Sequence, residues 1–194
     1  MQKLVIKDLM NILEYEKVRN TYRQELMSYK KDRRISLGPN ITLTFENRRT
    51  MKFQIQEIMR AERLVHDETI QEEIEVYNSL LPKSNSLSAT LFIEVTEESK
   101  IKFILNQFIG LTEGESLFFE IKGQKINAEF EAGREESDKI SSVHYVNFKI
   151  NQELIPLFEN NEEIKLQIQY KDYFHSQTLS SKSKLSLFND LTSK

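Results

Sequence analysis

Three histidines and no cysteines leave this chain few ways to do chemistry. Without thiols there is no disulfide, thiolate zinc site, cysteine nucleophile or self-held iron–sulfur cluster. Histidine chemistry narrows to two places. Glu62 and His66 stand four apart, the spacing that puts two side chains on one helix face. With Glu57, Glu72 and Glu73 nearby they could form a mixed carboxylate/histidine site. A di-iron bundle needs Glu-x-x-His pairs, and the chain has none. Solvated helix faces explain the same residues more simply, so no metal and no cofactor is assigned. His144 alternates with Val146, Phe148 and Ile150 along 142–150, which turns it inward. A buried structural imidazole and a pocket base are both open readings there.

Two further groups carry enough polarity to bind something. Gln54, Gln56, Glu57, Arg60, Glu62 and Arg63 form a stripe denser in hydrogen-bonding groups than a surface helix requires. Gln56, Glu57, Arg60 and Glu62, with His144, are therefore the candidate pocket of an enzyme or small-ligand binder. The bland alternative is salt bridging to 17–34 or 67–75. Segment 17–34 carries seven basic residues, and its Lys30, Lys31, Arg33 and Arg34 could dock an acidic partner. Cations at a helix end, offsetting its dipole, would look the same. The net charge of −3 and the lack of any nucleic-acid signature argue against nucleic-acid binding. The five glycines never cluster as a phosphate loop would require, and there is no G-x-S-x-G elbow.

The elements that must position these groups are legible in outline. With 39% hydrophobic and 29% charged residues, 12 Phe and 7 Tyr, the chain can bury a core unaided. A helix is predicted over 14–33, where Tyr15, Val18, Tyr22, Leu26 and Tyr29 recur at spacings of three and four. The turn signal at 37–40 leads into a short strand, 41–45. A helix over 50–64 buries Met51, Ile55, Ile58 and Met59, and another starts at Thr69 with Glu72 closing a capping box and ends before Pro82. Segment 82–88 is the best boundary. Strands follow over 89–95, 116–121, 125–131, 142–150 and 163–170, with helices over 97–109, after Asn151 and over 181–191. The expected fold is α+β: an N-terminal helical region with one short strand, then a mostly antiparallel sheet flanked by helices. Residues 1–194 should form one compact domain, with a helical subregion 1–82 and a sheet-rich subregion 88–194. The N-terminus lacks an apolar leader, and no apolar run reaches the roughly 18 residues of a membrane span, so a cytoplasmic location without membrane attachment is expected.

The blocks KKDRRISLGPNITLTFENRRTMKFQIQEIMRAER, IQEEIEVYNSLLP, ATLFIEV and SSVHYVNF, in this order, resemble the bacterial domain of unknown function 3501 family over nearly the whole chain. The resemblance implies a stand-alone cytoplasmic protein and no established activity. Members tend to be encoded beside rubrerythrin-like and iron–sulfur proteins. That implies an accessory role in a redox or peroxide-stress pathway, docking a metal-carrying partner, and leaves a homo-oligomer open. Polar positions inside the matching blocks include Lys31, Arg34, Glu46, Gln54, Gln56, Glu57, Tyr77, Thr90, Glu94, His144 and Tyr145. None has a role to carry over, but so many polar positions imply a pocket.

Overall fold

The computed structural model describes residues 1–193 apart from 134, 137, 138 and 161, with the backbone alone at 135 and 136. Helix α1 (Ile12–Lys31) leads into β1 (Arg34–Leu37) and β2 (Ile41–Glu46), then α2 (Arg48–Glu62), α3 (Asp67–Ser79) and β3 (Ser86–Ile93). After α4 (Ile101–Gln107) come β4 (Leu117–Ile121), β5 (Gln124–Phe130), a two-residue pair β6 (Glu135–Glu136) and β7 (Lys139–Ile140), and β8 (Val143–Lys149). A 3-10 turn (Gln152–Phe158), β9 (Ile164–Tyr170), β10 (Tyr173–Thr178) and α5 (Ser181–Thr192) complete the chain.

Alternation explains the sheet. Ile41, Leu43 and Phe45 of β2 pair in register with Ile93, Leu91 and Ala89 of β3, and Leu91, Ala89 and Leu87 pair with His144, Val146 and Phe148 of β8. With a side-chain period of two, one face of every strand turns inward. Eight strands in the order β1-β2-β3-β8-β5-β4-β9-β10, all antiparallel, wrap round one apolar core. The sheet curls into a nearly closed barrel. Its seam is bridged by a side chain instead of a ladder: the Tyr173 hydroxyl donates to the Leu37 carbonyl and accepts from the Asn40 and Ile41 amides. Gly38, with φ +77°, turns beneath this seam, where a Cβ would collide with the His175 ring. The 3-10 turn and α5 pack on each other and send Leu154, Phe158, Leu187 and Leu191 into the barrel core.

A second, smaller core joins α2, α3 and the N-terminal segment through Leu4, Met51, Ile55, Met59, Ile70, Ile74 and Leu81. Helix α1 lies on α2, with Tyr22 between Tyr15 and Phe53. Among the described residues no helix is long and apolar enough to cross a membrane.

The α+β class holds, but the expected division of labour between the two halves does not. The N-terminal region contributes two strands, not one, and both belong to the same barrel as the C-terminal strands. Strand β1 follows a basic helix end and offers only Ile35 and Leu37 to the core. Helix α3 begins earlier than expected: His66 is its N-cap residue, Asp67 and Glu68 fill its first turn, and the Thr69 hydroxyl donates to the His66 carbonyl. Acidic groups at that end suit the helix dipole.

Candidate functional site

Three members of the polar stripe of α2, Gln56, Glu57 and Arg60, hold the helical layer together. Gln56, 1% exposed, accepts from the Met10 amide at 2.6 Å and donates to the Met10 carbonyl at 3.0 Å, pinning the N-terminal segment. Glu57 is clamped by Arg19 through two hydrogen bonds of 2.8 and 2.7 Å and receives the Tyr15 hydroxyl at 2.6 Å. Arg60 ion-pairs with Glu16. The bridging to 17–34 weighed from the sequence thus exists, through Arg19.

Arg19 holds the Glu57 carboxyl below its ordinary range, with desolvation opposing and Tyr15 assisting. A depressed carboxylate contributes stability above its unfolded value and loses it as pH falls through the folded one. Wild type should therefore exceed Glu57→Gln in stability at pH 7. That advantage should fade below about pH 4, the ordinary carboxylate range, in paired urea titrations. An advantage independent of pH would mean that the clamp acts through packing alone.

The remaining expected site residues are not brought together. Glu62 ends α2, and Arg63 follows in the left-handed region at φ 55°, so Glu62 and His66 share no helix face. No group of three or more metal-binding side chains assembles among the described residues. His144 is fully buried on the inner face of β8, donating through Nε2 to the Ser141 carbonyl at 2.7 Å and meeting Phe130 edge-on at 6.2 Å. It lies across the sheet from the α2 stripe. Of the basic quartet, Arg33 is the correction. It is fully buried, bonding the Phe45 carbonyl at 2.9 Å, the Ser186 hydroxyl at 2.8 Å and the Asp190 carboxylate, so it cannot meet a partner. The burial follows from its place just before β1, where it enters the barrel end capped by α5. Arg34 pairs with Glu94 at the surface, and Lys31 is exposed.

The structure assembles a different site on the outer face of the barrel. Register places Glu46, Ser88, Asn147 and Glu129 side by side across β2, β3, β8 and β5, with Thr44, Thr90 and Tyr145 in the next row. The end of α3 and the following turn stand over these rows, leaving a groove of about 420 Å³ between Leu80, Leu81 and Lys83 on one side and Ser88, Tyr145 and Asn147 on the other. Glu46 is its most unusual member. It is 3% exposed, takes hydrogen bonds from Thr90 (3.0 Å) and Gln54 (3.3 Å) on Oε1, and leaves Oε2 buried without a partner. It makes no ion pair among the described residues. A buried carboxylate oxygen lacking a donor costs free energy unless something supplies one. Tyr77 of α3 lies near Tyr145 and Glu46. Desolvation first, then the fields of Tyr145 and the surrounding carboxylates, raises its phenol above the ordinary value, so it stays a neutral donor at physiological pH.

Glu46, Gln54, Tyr77, Thr90 and Tyr145 all lie in the sequence blocks that carry the family resemblance. Each was visible as a polar position, but nothing linear joins five residues drawn from β2, α2, α3, β3 and β8. A signal existed at Glu46: an acid directly continuing an alternating strand, on the face of Thr42 and Thr44.

Fold and groove together define a small antiparallel barrel with a helical side layer and one polar cleft between them. The chain matches the family described as protein of unknown function (DUF3501) over residues 3–191, and belongs to it. Its fold is that of a solved protein from Burkholderia pseudomallei K96243, described as a novel protein of unknown function. The two share a TM-score of 0.90 at 24% identity, over 98% of this chain and 100% of the other. No curated protein matches the sequence.

Proposed function

We propose that this protein binds a small polar molecule in the groove between α3 and the outer face of β3 and β8. One observation carries the reading: the Oε2 atom of Glu46, buried at the groove without a hydrogen-bond donor. The volume, about 420 Å³, falls within the range of small-molecule sites, roughly 300–1,000 Å³. The Thr90 hydroxyl bonds the acid, Ser88 is its register partner, and Asn147, bonded to Ser88, stands one strand further on, as expected where a few placed polar groups orient a ligand.

The test is a ¹⁵N correlation spectrum of the protein titrated with the low-molecular-weight fraction of its host's extract. Shifts should concentrate at the amides of Ser88, Thr90 and Asn147. An unchanged spectrum, or shifts confined to other surfaces, would end this reading.

The accessory role implied by the family resemblance is the second reading. Lys30 and Lys31 at the end of α1 make no ion pair among the described residues, so they, with Arg34, are the cations that an acidic rubrerythrin-like or iron–sulfur partner would meet.

A further inference from the structure

The groove is electrically graded along the strands, and the grading specifies what it would hold. Lys83 and Lys149 flank Ser86: the Ser86 amide and hydroxyl both donate to the Lys83 carbonyl, and Lys149 is the register partner of Ser86. Both lysines are exposed at the groove and make no ion pair among the described residues. Glu46 lies one two-residue step along the sheet from the Ser86–Lys149 pair and on the far side of β3 from Lys149, so about 7 Å along the strands and roughly 10 Å across them separate the two backbone positions. The other acids of the lining, Glu129 and Glu131, stand on the β5 side, with Glu129 exposed at the rim. The groove therefore offers a desolvated anion on the β2 side of β3 and, further along the lining, two ammonium groups with no ion pair among the described residues.

A neutral donor would satisfy the hydrogen-bonding capacity of Oε2 but leave a buried carboxylate without a counter-charge. A cation answers both needs, because charge-assisted hydrogen bonds are the stronger class and buried charges are stable when paired. Resting on the ligand-binding reading, we infer that the groove takes a small zwitterion, with a primary ammonium group on Glu46 and an anionic group on Lys83 and Lys149. Thr90 and Gln54, both bonded to Oε1, fix the carboxylate and leave Oε2 as the oxygen still lacking a donor. The separation of these positions selects molecules whose opposite charges are set well apart over those whose charges share one carbon.

The probe is 6-aminohexanoate, compared with its halves hexylamine and hexanoate, titrated into the full chain and read at the Ser88, Thr90 and Asn147 amides. 6-Aminohexanoate should bind at least tenfold more tightly than hexylamine, and hexanoate should leave those amides unmoved. Glu46→Gln, which keeps shape and removes charge, should weaken 6-aminohexanoate at least tenfold while leaving the urea midpoint as high as in wild type. Lys83→Gln/Lys149→Gln should reduce 6-aminohexanoate to the level of hexylamine. Equal binding of hexanoate and 6-aminohexanoate, or indifference to Glu46→Gln, overturns the inference. Shifts at these amides from the extract fraction without any from 6-aminohexanoate overturn the zwitterion and leave the groove standing. Silence from both removes the groove as well.

Discussion

Arg33→Met is expected to cost the fold about 3–5 kcal/mol, the range for breaking one partner of a buried ion pair. The guanidinium is fully buried and makes contacts on several sides: Asp190 of α5, the Phe45 carbonyl of β2, Ser186, and the Tyr29 ring at 5.3 Å. Asp190 also accepts from Asn47 at 2.8 Å, so the network ties α1, β2, the start of α2 and α5 together. Removing Arg33 leaves a carboxylate and a carbonyl desolvated and short of a donor. Burial already pushes the Asp190 carboxyl above its ordinary range, with Arg33 and then Asn47 pulling it back. In the variant the upward push wins further. A carboxyl raised in the folded state is penalised above its folded value and relieved below it, so the deficit should shrink as pH falls toward the ordinary carboxylate range. Urea unfolding at several pH values measures both effects. Adding Asp190→Leu should recover only part of the loss, because the Phe45 carbonyl and Asn47 remain short of partners. Lys31→Gln, by contrast, should stay within about 1 kcal/mol, the scale of one exposed cation at a helix C-terminus. A mild Arg33→Met would mean that water enters the site and solvates Asp190.

The other large effect lies in the barrel core. Phe119 packs against Phe45 at 5.8 Å, Phe148 at 4.7 Å and Phe158 at 6.1 Å between ring centroids, and all four rings are essentially inaccessible. Phe119→Ala should cost about 3–5 kcal/mol, the sum of lost transfer energy and an unrelaxed cavity. The cavity cannot collapse cheaply, because its walls come from β2, β8 and the 3-10 turn, each held by its own pairing. Phe119→Leu keeps most of the volume and should cost about half as much or less. Thermal and urea denaturation of the two variants check the ratio; near-equal losses would show that the aromatic contacts, more than the volume, are what the core requires.

Sequence reading reached the elements whose pattern is local. Strand β9, with Ile164, Leu166 and Ile168 alternating against Lys165, Gln167 and Gln169, runs 164–170 where 163–170 was expected. The hairpin between β4 and β5 turns through Lys122 and Gly123, both at positive φ, and of the two only the glycine is a residue type that favours it. Strand β10 was not legible. Its inward positions are Tyr173 and His175, amphipathic residues that also suit a polar tail, and only its pairing with β9 reveals it. The candidate pocket on α2 misled for a related reason. A dense polar stripe signals that partners exist, and here they are Met10, Arg19, Tyr15 and Glu16 of the same chain. Conversely, Glu46 became informative only through register, since its significance lies in who stands beside it on β3 and β8. Arg33 shows the same limit: four neighbouring cations look alike in sequence, and one of them is fully buried.

The seam closed by Tyr173 also has a bearing on time. Its contact with Leu37 joins residues 136 positions apart, whereas the hairpins β1–β2, β4–β5 and β9–β10 close over a few residues. Such hairpins form in about 1–10 μs, but a barrel dominated by distant pairings belongs with chains that fold in about milliseconds to seconds. During that wait the flanks of the future seam are open edges, the places where a nascent sheet recruits a neighbouring molecule. The chain presents there a strand of only four residues, with Arg34 and Ser36 outward, and a strand whose Ser176, Gln177 and Thr178 are exposed but which also shows Phe174 to solvent. Of the two strands that wait longest for a partner, the short charged one is the poorer template for a stranger, and Phe174 makes the other the more exposed to one.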